Sequence, residues 1–261
     1  METRKSAKVA GRNSSVKVTK HRLDLLLVER GIAPSRQRAQ ALLLAGQVRV
    51  NGTQMDKPGT SVPVDAQIET TGEPLRYASR GGLKLEGAIA DFGVSPQGAV
   101  CLDVGSSNGG FTDCLLQNGA RRVYAVDVTI DQLDWKLRCD PRVTTIEKNA
   151  RYLRVEDLGE QVEFVTVDVS FISLSKILPA IVRAAASGAT FLILIKPQFE
   201  LDRRDVGKGG IVRDPELHKK AIDRVVSAAS NLGLEIGGVL PSRIAGAEGN
   251  QEFFLHARGG L

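Results

Sequence analysis

The sequence contains few cysteines, few aromatic residues and no long apolar stretch. Its three cysteines, Cys101, Cys114 and Cys139, are too few and too scattered for a disulfide framework or a zinc site, and we expect no bound metal. The longest candidate apolar run, residues 191–195, is far shorter than the roughly 18 residues of a membrane-spanning helix. The basic N-terminus lacks the apolar core of a secretory signal. These absences predict a cytoplasmic protein that does not enter a membrane.

The composition is that of a folded α/β protein. Hydrophobic residues make up 42% of the 261 residues, which is enough for a packed core and excludes a fully disordered chain. This length fits one large domain, or a medium domain joined to a small one.

Positive charge is concentrated at the N-terminal end. Residues 1–20 hold six lysines and arginines against one acid, and residues 21–60 hold six against three. Since the net charge of the chain is +5, residues 61–261 are slightly acidic. A positively charged N-terminal region favours binding to a polyanion such as nucleic acid, because neutralised phosphates release counterions. We expect residues 1–20 to be a disordered basic tail, and its role, binding or solubility, stays open.

Residues 21–68 show the pattern of a small α+β module. Leu23, Leu26 and Leu27 have helical spacing, and Ser35 is a good N-cap for a second helix over residues 36–44. A short strand over residues 48–50 then leads into Asn51-Gly52, a strong hairpin signal.

The module resembles the S-four-type RNA-binding domain, which is named after a small-subunit ribosomal protein. The matching strings are Arg22-Leu-Asp, Arg30-Gly, Ser35-Arg, Ala39 and Gly46-Gln-Val-Arg-Val-Asn-Gly. No aromatic residue precedes Tyr77, so the module is expected to bind the backbone and shape of folded RNA and not to stack on single-stranded bases. Its candidate RNA-binding residues are Arg22, Ser35, Arg36, Arg38 and Arg49.

After a linker over residues 69–78, apolar strands alternate with helices through a domain over residues 79–261. The strands are predicted at residues 100–104, 122–128, 162–167 and 190–195, with two more near 234–240 and 252–258. Near-continuous apolar strands of this kind predict a parallel, doubly wound sheet with helices on both faces.

The first of these strands ends in the glycine-rich string Asp103-Val-Gly-Ser-Ser-Asn-Gly-Gly-Phe. Asp127 ends the next strand and can accept hydrogen bonds from ribose hydroxyls, which fits either a dinucleotide or S-adenosylmethionine. The loop resembles motif I of class I methyltransferases, more narrowly of the FtsJ-like group, and therefore implies a Rossmann-like methyltransferase sheet and S-adenosylmethionine as cofactor. The cofactor-binding residues implied are Asp103, Gly105, Ser107, Asn108, Gly109, Gly110, Phe111, Asp127, Asn149 and Asp168.

Four charged residues stand before or at the ends of predicted strands: Lys84, Asp168, Lys196 and Glu252. They resemble the Lys-Asp-Lys-Glu tetrad of FtsJ-type ribose 2′-O-methyltransferases. Together with the N-terminal module they make the chain similar to the TlyA (haemolysin A) family of rRNA methyltransferases. The strings that carry this likeness are Ser79-Arg-Gly-Gly, Asp103-Val-Gly-Ser-Ser, Ile195-Lys-Pro-Gln-Phe-Glu and Gly207-Lys-Gly-Gly-Ile-Val-Arg.

The resemblance implies 2′-O-methylation of cytidines in 16S or 23S rRNA, or in both, within ribosomal subunits. In this hypothesis Lys196 removes or steers the 2′-proton, Asp168 orients Lys196, and Lys84 and Glu252 complete the network. Arg80 and Lys208 are candidate RNA phosphate contacts near the cleft.

Two other enzyme classes fit the sequence less well. A base N-methyltransferase commonly carries an Asn/Asp-Pro-Pro-aromatic string, which is absent, and a nicotinamide dehydrogenase lacks its substrate domain here. A haemolysin or other membrane-active protein, and a non-catalytic ribosome-binding or assembly protein, remain as alternatives.

Overall fold

The computed structural model describes residues 19–33, 35–71, 76–246 and 249–260. The basic tail expected over residues 1–20 lies outside this part of the chain, except for its last two residues.

The N-terminal part, residues 19–71, is a small α+β unit built on two helices. Leu23, Leu27 and Leu43 are completely buried between the helices and strands. The tight turn before Thr53 uses positive φ angles at Asn51 (49°) and Gly52 (79°), as a two-residue hairpin requires. The elements are β1 (Lys20–Arg22), α1 (Leu23–Glu29), α2 (Arg36–Leu44), β2 (Val48–Val50), β3 (Thr53–Met55), β4 (Ser61–Pro63) and β5 (Ile68–Thr70).

The segment expected to be a linker, residues 69–78, is shorter in the structure at both ends. Strand β5 runs to Thr70 and pairs with β2. Tyr77 is only 1% exposed and packs with Ala78 in the core of the following domain, because its ring fits over Gly82. Sequence inspection missed this because the segment has no periodicity.

The C-terminal part alternates strands and helices as the sequence predicts. The strand Val162–Val167 has the predicted bounds, whereas the strand Ala185–Ile195 begins five residues earlier than expected. The elements are α3 (Gly81–Phe92), β6 (Val100–Val104), α4 (Gly110–Gln117), β7 (Arg122–Asp127), α5 (Trp135–Arg138), β8 (Val143–Glu147), β9 (Val162–Val167), α6 (Leu178–Ala184), β10 (Ala185–Ile195), α7 (Pro197–Glu200), α8 (Pro215–Asn231), β11 (Leu234–Pro241) and β12 (Phe253–Gly259). Short 3-10 turns lie at Ala150–Tyr152, Val155–Asp157, Leu174–Lys176, Arg203–Asp205 and Lys208–Gly210.

These strands form one seven-stranded sheet in the order β11-β12-β10-β9-β6-β7-β8. Strands β10, β9, β6, β7 and β8 are parallel, and β12 is antiparallel to both of its neighbours. The order reverses between β6 and β9. In open sheets of this kind, ligands bind beyond the carboxyl ends of the strands at such a reversal.

The sheet is covered on both faces, which confirms the doubly wound architecture. One face packs against α6 and α8 and the other against α3, α4 and α5. Successive residues of each strand alternate between the two cores: Leu102 lies in one and Cys101 in the other. Within the described residues no helix is long and apolar enough to cross a membrane.

Candidate functional site

The glycine-rich loop after β6 lies against the end of β9. Gly105 has a φ of 84°, and a Cβ atom there would lie 2.2 Å from the carbonyl oxygen of Asp168. Glycines in such a loop commonly let the backbone approach a ligand. The structure gives a different reason at this position: glycine is needed because the backbone of Asp168 approaches the loop.

Two adjoining cavities open where these strand ends meet. The larger, of about 450 Å³, lies beyond β6, β7 and β9, and the smaller, of about 240 Å³, lies between the loop and α3. Both are lined by Gly105, Ser107 and Asp168, so they form one continuous cleft. Their combined size is that of a small-molecule binding site.

The larger cavity holds polar groups suited to a nucleoside. Asp127 accepts hydrogen bonds from the backbone N–H groups of Ser107 (2.9 Å) and Val128 (2.7 Å), which fix its carboxylate at the rim. Asn149 also lines this cavity, and its side-chain oxygen accepts from the backbone N–H of Arg151. The structure thus brings Asp127, the predicted ribose contact, and Asn149, another predicted cofactor contact, into one cavity.

The smaller cavity contains three more of the predicted loop contacts. Its lining includes Asn108, Gly110 and Phe111 from the loop. Ser106 also lines it, and its buried hydroxyl has no hydrogen-bond partner among the described residues. A buried polar atom without a partner marks a place where a ligand or water can supply the missing bond.

Two predicted cofactor contacts, Asp103 and Gly109, line neither cavity. Asp103 is completely buried and accepts hydrogen bonds from the hydroxyls of Thr112 (2.6 Å) and Thr166 (2.9 Å). Its burial raises the pKa of this carboxyl to about 7. Gly109 has a φ of 91°, and a Cβ atom there would clash with Leu137. Both residues therefore shape the loop, and any action of theirs on a cofactor is indirect.

The predicted catalytic residues form two ion pairs. Lys196 Nζ lies 2.5 Å from Asp168 Oδ1 and donates a hydrogen bond to the hydroxyl of Ser170 (3.0 Å). Lys84 Nζ lies 2.5 Å from Glu252 Oε2, and this pair is nearly buried, with side-chain exposures of 11% and 3%.

The two pairs meet at the smaller cavity. Asp168, from the first pair, and Lys84, from the second, both line it. Asp168 and Lys196 follow neighbouring parallel strands, whereas Lys84 comes from α3 and Glu252 precedes β12. One member of each pair, Asp168 or Lys84, thus lines a space that a reacting group can enter, and each holds its partner, Lys196 or Glu252, beside it.

Segment 170–174, beside Lys196, carries an exposed aromatic ring that the sequence analysis did not single out. Phe171 is 91% exposed, has a φ of 65°, and its ring centre lies 5.1 Å from that of Phe199. Buried Glu200 holds the segment in place by accepting hydrogen bonds from Ser173 (2.7 Å) and from the backbone of Leu174 (2.8 Å). A positive φ at a bulky residue is strained and is often found at functional sites.

Helix α2 of the N-terminal module also reaches the cleft. Ala41 and Leu44 line the smaller cavity opposite Lys84. The helix is attached to the rest of the chain by Arg38, which donates a hydrogen bond to the carbonyl of Tyr77 (2.8 Å). Nothing in the local sequence of α2 indicates this contact, because it depends on how the two parts pack.

The predicted RNA-binding residues have different surroundings. Arg22 and Arg36 are half-exposed and share the buried carboxylate of Asp24. Ser35 caps α2 by accepting from the backbone N–H of Arg38. Arg49 lies exposed on β2, Arg80 lines the smaller cavity, and Lys208 is exposed.

The segment with Lys208 is tied to the segment with Glu252 by Asn250. This buried side chain accepts from the backbone of Val212 and donates to the carbonyl of Gly210, both at 2.9 Å.

Comparison with known proteins identifies both parts of the chain. Residues 77–259 match the FtsJ-like methyltransferase family, and residues 21–68 match the S4 domain. The fold and the site therefore define an FtsJ-like methyltransferase that carries an S4 domain, as the sequence predicts.

Relatives similar over most of the chain narrow this class further. YqxC of Bacillus subtilis, named as a candidate rRNA methyltransferase, is 49% identical over 91% of this chain and 85% of its own length. The 16S/23S rRNA (cytidine-2′-O)-methyltransferase TlyA of Mycobacterium tuberculosis is 45% identical over 91% of this chain and 89% of its own length. The chain belongs to the TlyA family. A solved structure of a hemolysin-like protein from Streptococcus thermophilus, 42% identical, covers 93% of this chain and 90% of its own with a TM-score of 0.74.

Proposed function

We propose that this protein transfers a methyl group from S-adenosylmethionine to the 2′-oxygen of a cytidine ribose in rRNA within a ribosomal subunit. The observation that carries the proposal is the meeting of two lysine–carboxylate pairs at a cavity continuous with a nucleoside-sized one. The names of the relatives support the choice of rRNA and cytidine.

The residues of the cleft fit S-adenosylmethionine. Asp127 is placed to accept from ribose hydroxyls and Asn149 to contact the adenine. The unpartnered hydroxyl of Ser106 and the carboxylate of Asp168 suit the charged methionine end. When bound, this cofactor supplies an electrophilic methyl group on a sulfonium.

The protein residues then act on the ribose. A ribose hydroxyl is a poor nucleophile near neutral pH, so it needs a proton acceptor and a fixed line of attack. Lys196 removes or steers the 2′-proton as the new carbon–oxygen bond forms. Asp168 holds Lys196 in place, and the Lys84–Glu252 pair positions the ribose.

The RNA itself is held at two places. The N-terminal module binds the backbone of folded rRNA through its arginines, with Arg80 and Lys208 contacting phosphates near the cleft. The exposed ring of Phe171 is available to stack on the base of the target nucleotide.

The test is methyl transfer from labelled S-adenosylmethionine to purified 30S and 50S subunits, followed by mapping of ribose-methylated positions. Replacing Lys196 with Ala should lower turnover by about 10² to 10⁴-fold, the usual contribution of a positioned acid–base group, and leave cofactor affinity nearly unchanged. The matched control is Lys219→Ala, which removes an exposed lysine of α8.

Unchanged turnover in Lys196→Ala would remove Lys196 from this role. Methylation of a base nitrogen would replace the 2′-O assignment. Absence of methyl transfer by the wild type, together with leakage of liposomes by the purified protein, would support the membrane-active alternative.

A further inference from the structure

The N-terminal module contains a completely buried carboxylate, that of Asp24 in the first turn of α1. It accepts two hydrogen bonds from Arg22, through Nε and Nη2 at 3.0 Å each, and one from Nε of Arg36 at 2.9 Å. The amide of Gln40 (3.2 Å) and the backbone N–H of Leu25 (3.1 Å) complete its surroundings. The two arginines hold the pKa of Asp24 well below its usual range, so it is charged at all ordinary pH values.

The arginines themselves face outwards. Their side chains are 45% and 51% exposed, whereas the carboxylate between them is 0% exposed. For each guanidinium, the hydrogen bonds within the described residues use the Nε edge, so other N–H groups remain directed towards solvent. Asp24 therefore fixes the inner N–H groups of both guanidinium groups, whereas their outer N–H groups are accessible to a ligand.

The position of Arg36 connects this cluster with the methyl-transfer cleft. Arg36 and Gln40 line a cavity of about 320 Å³ between α2 and the C-terminal part, opposite Asn108 and Asp131. Asn108 also lines the smaller cavity of the cleft. A phosphate bound at Arg36 therefore lies on the side of the module that faces the cofactor loop, with Asp131 as the acid opposite it.

We propose that Asp24 is a positioning residue that joins Arg22 and Arg36 into one preformed binding site for a backbone phosphate of folded RNA. This inference rests on the proposed function, because it takes rRNA as the substrate. A flexible arginine loses side-chain freedom on binding, whereas one already held by a carboxylate loses less, and a guanidinium fork matches phosphate geometry.

The Asp24→Asn variant separates this inference from simple charge attraction. It removes one negative charge beside the arginines, so attraction alone predicts equal or tighter RNA binding. The positioning role predicts the opposite, because Asn keeps the shape but releases the two guanidinium groups. The matched control is Asp65→Asn, which makes the same charge change at an exposed position of the module.

The measurement is binding of the full-length protein to the ribosomal subunit that the wild type methylates, between 50 and 200 mM salt, together with methylation kinetics. For Asp24→Asn we expect roughly tenfold weaker binding, a salt slope smaller by about 1 to 2, and a raised KM with little change in kcat. Asp65→Asn should bind like the wild type.

Thermal unfolding shows whether Asp24→Asn is folded. If it is not, two lysine variants test the inference instead. Arg22→Lys and Arg36→Lys keep the positive charge but lose the planar guanidinium group, so both variants should bind several-fold more weakly while still unfolding cooperatively, at a somewhat lower temperature than the wild type. Equal or tighter binding by Asp24→Asn, or wild-type binding by both lysine variants, would overturn the inference while leaving methyl transfer intact. Failure of the wild type to methylate any subunit would instead remove the proposed function.

Discussion

Two carboxylates of this chain, one in each part, are completely buried and yet have opposite electrostatic surroundings. Asp24 accepts from two arginines, and its pKa is well below the usual range. Asp103 accepts from two threonine hydroxyls, and burial raises its pKa to about 7. Desolvation opposes the charged form at both sites. It is the largest influence on the pKa of Asp103, whereas at Asp24 the hydrogen bonds from the arginines outweigh it.

The same contrast extends to the two functional surfaces. In the N-terminal module the buried carboxylate of Asp24 pairs with Arg22 and Arg36, which remain exposed. Exposed arginines of this kind suit binding to a polyanion. In the cleft the lysines themselves are largely buried with their acids, at side-chain exposures of 11% for Lys84 and 13% for Lys196. Water is partly excluded there, so each charge interacts strongly with its partner and with a bound substrate.

The largest effect on stability is expected when the acid of a buried ion pair is removed. Glu252→Gln leaves the ammonium of Lys84 without a charged partner, so the free energy of unfolding should fall by about 3 kcal/mol. Urea unfolding measures this effect. The control is Glu86→Gln, which removes a more exposed pair with Arg76 and should cost less than about 1 kcal/mol. Equal costs would show that burial of the Lys84–Glu252 pair has no energetic consequence.

A second prediction uses the raised pKa of Asp103. The folded protein keeps the proton on Asp103 up to a pH of about 7, whereas the unfolded chain loses it near pH 4. The unfolded state thus binds fewer protons in this window, and the stability contributed by Asp103 falls as pH rises through it.

The Asp103→Asn variant has no titratable side chain at this position, so it serves as the reference for the pH dependence of stability. The unfolding free energy of the wild type relative to this variant should fall by on the order of 2 to 4 kcal/mol between pH 4 and pH 8. For Asp24→Asn the corresponding difference should stay constant from pH 5 to pH 8, because Asp24 is charged in both states there. Parallel pH curves for the wild type and Asp103→Asn would contradict the assigned pKa.

The smallest effect is expected for an arginine that forms no ion pair with an acidic side chain among the described residues. Arg49 is exposed on β2 and contacts only the carbonyl of Gly52, at 3.5 Å, among the described residues. Arg49→Ala should weaken binding to the methylated subunit by about threefold and reduce the salt slope by at most about 1. Arg36→Ala should have a larger effect in the same assay. If Arg49→Ala is the more damaging variant, the RNA crosses the β2 face of the module and not the α2 face.

Much of the fold was predictable because its signals are local. The leucine spacing predicted α1, Ser35 marked the start of α2, which has the predicted bounds, and Asn51-Gly52 predicted the hairpin. The apolar runs predicted the parallel strands, since strands buried on both faces contain little else. The true extent of the linker was not predictable, because the burial of Tyr77 depends on its contact with Gly82 in a helix.

The sequence by itself determined the class of protein and which residue types can perform the chemistry, because motif spacing and residue identity are properties of the chain alone. Only the tertiary structure decided that Lys196 pairs with Asp168 and Lys84 with Glu252, that Asp103 lines neither cavity, and that α2 closes one side of the cleft. The physical reason is that these contacts join segments up to 168 residues apart, and only the packing of the sheet and helices sets such distances.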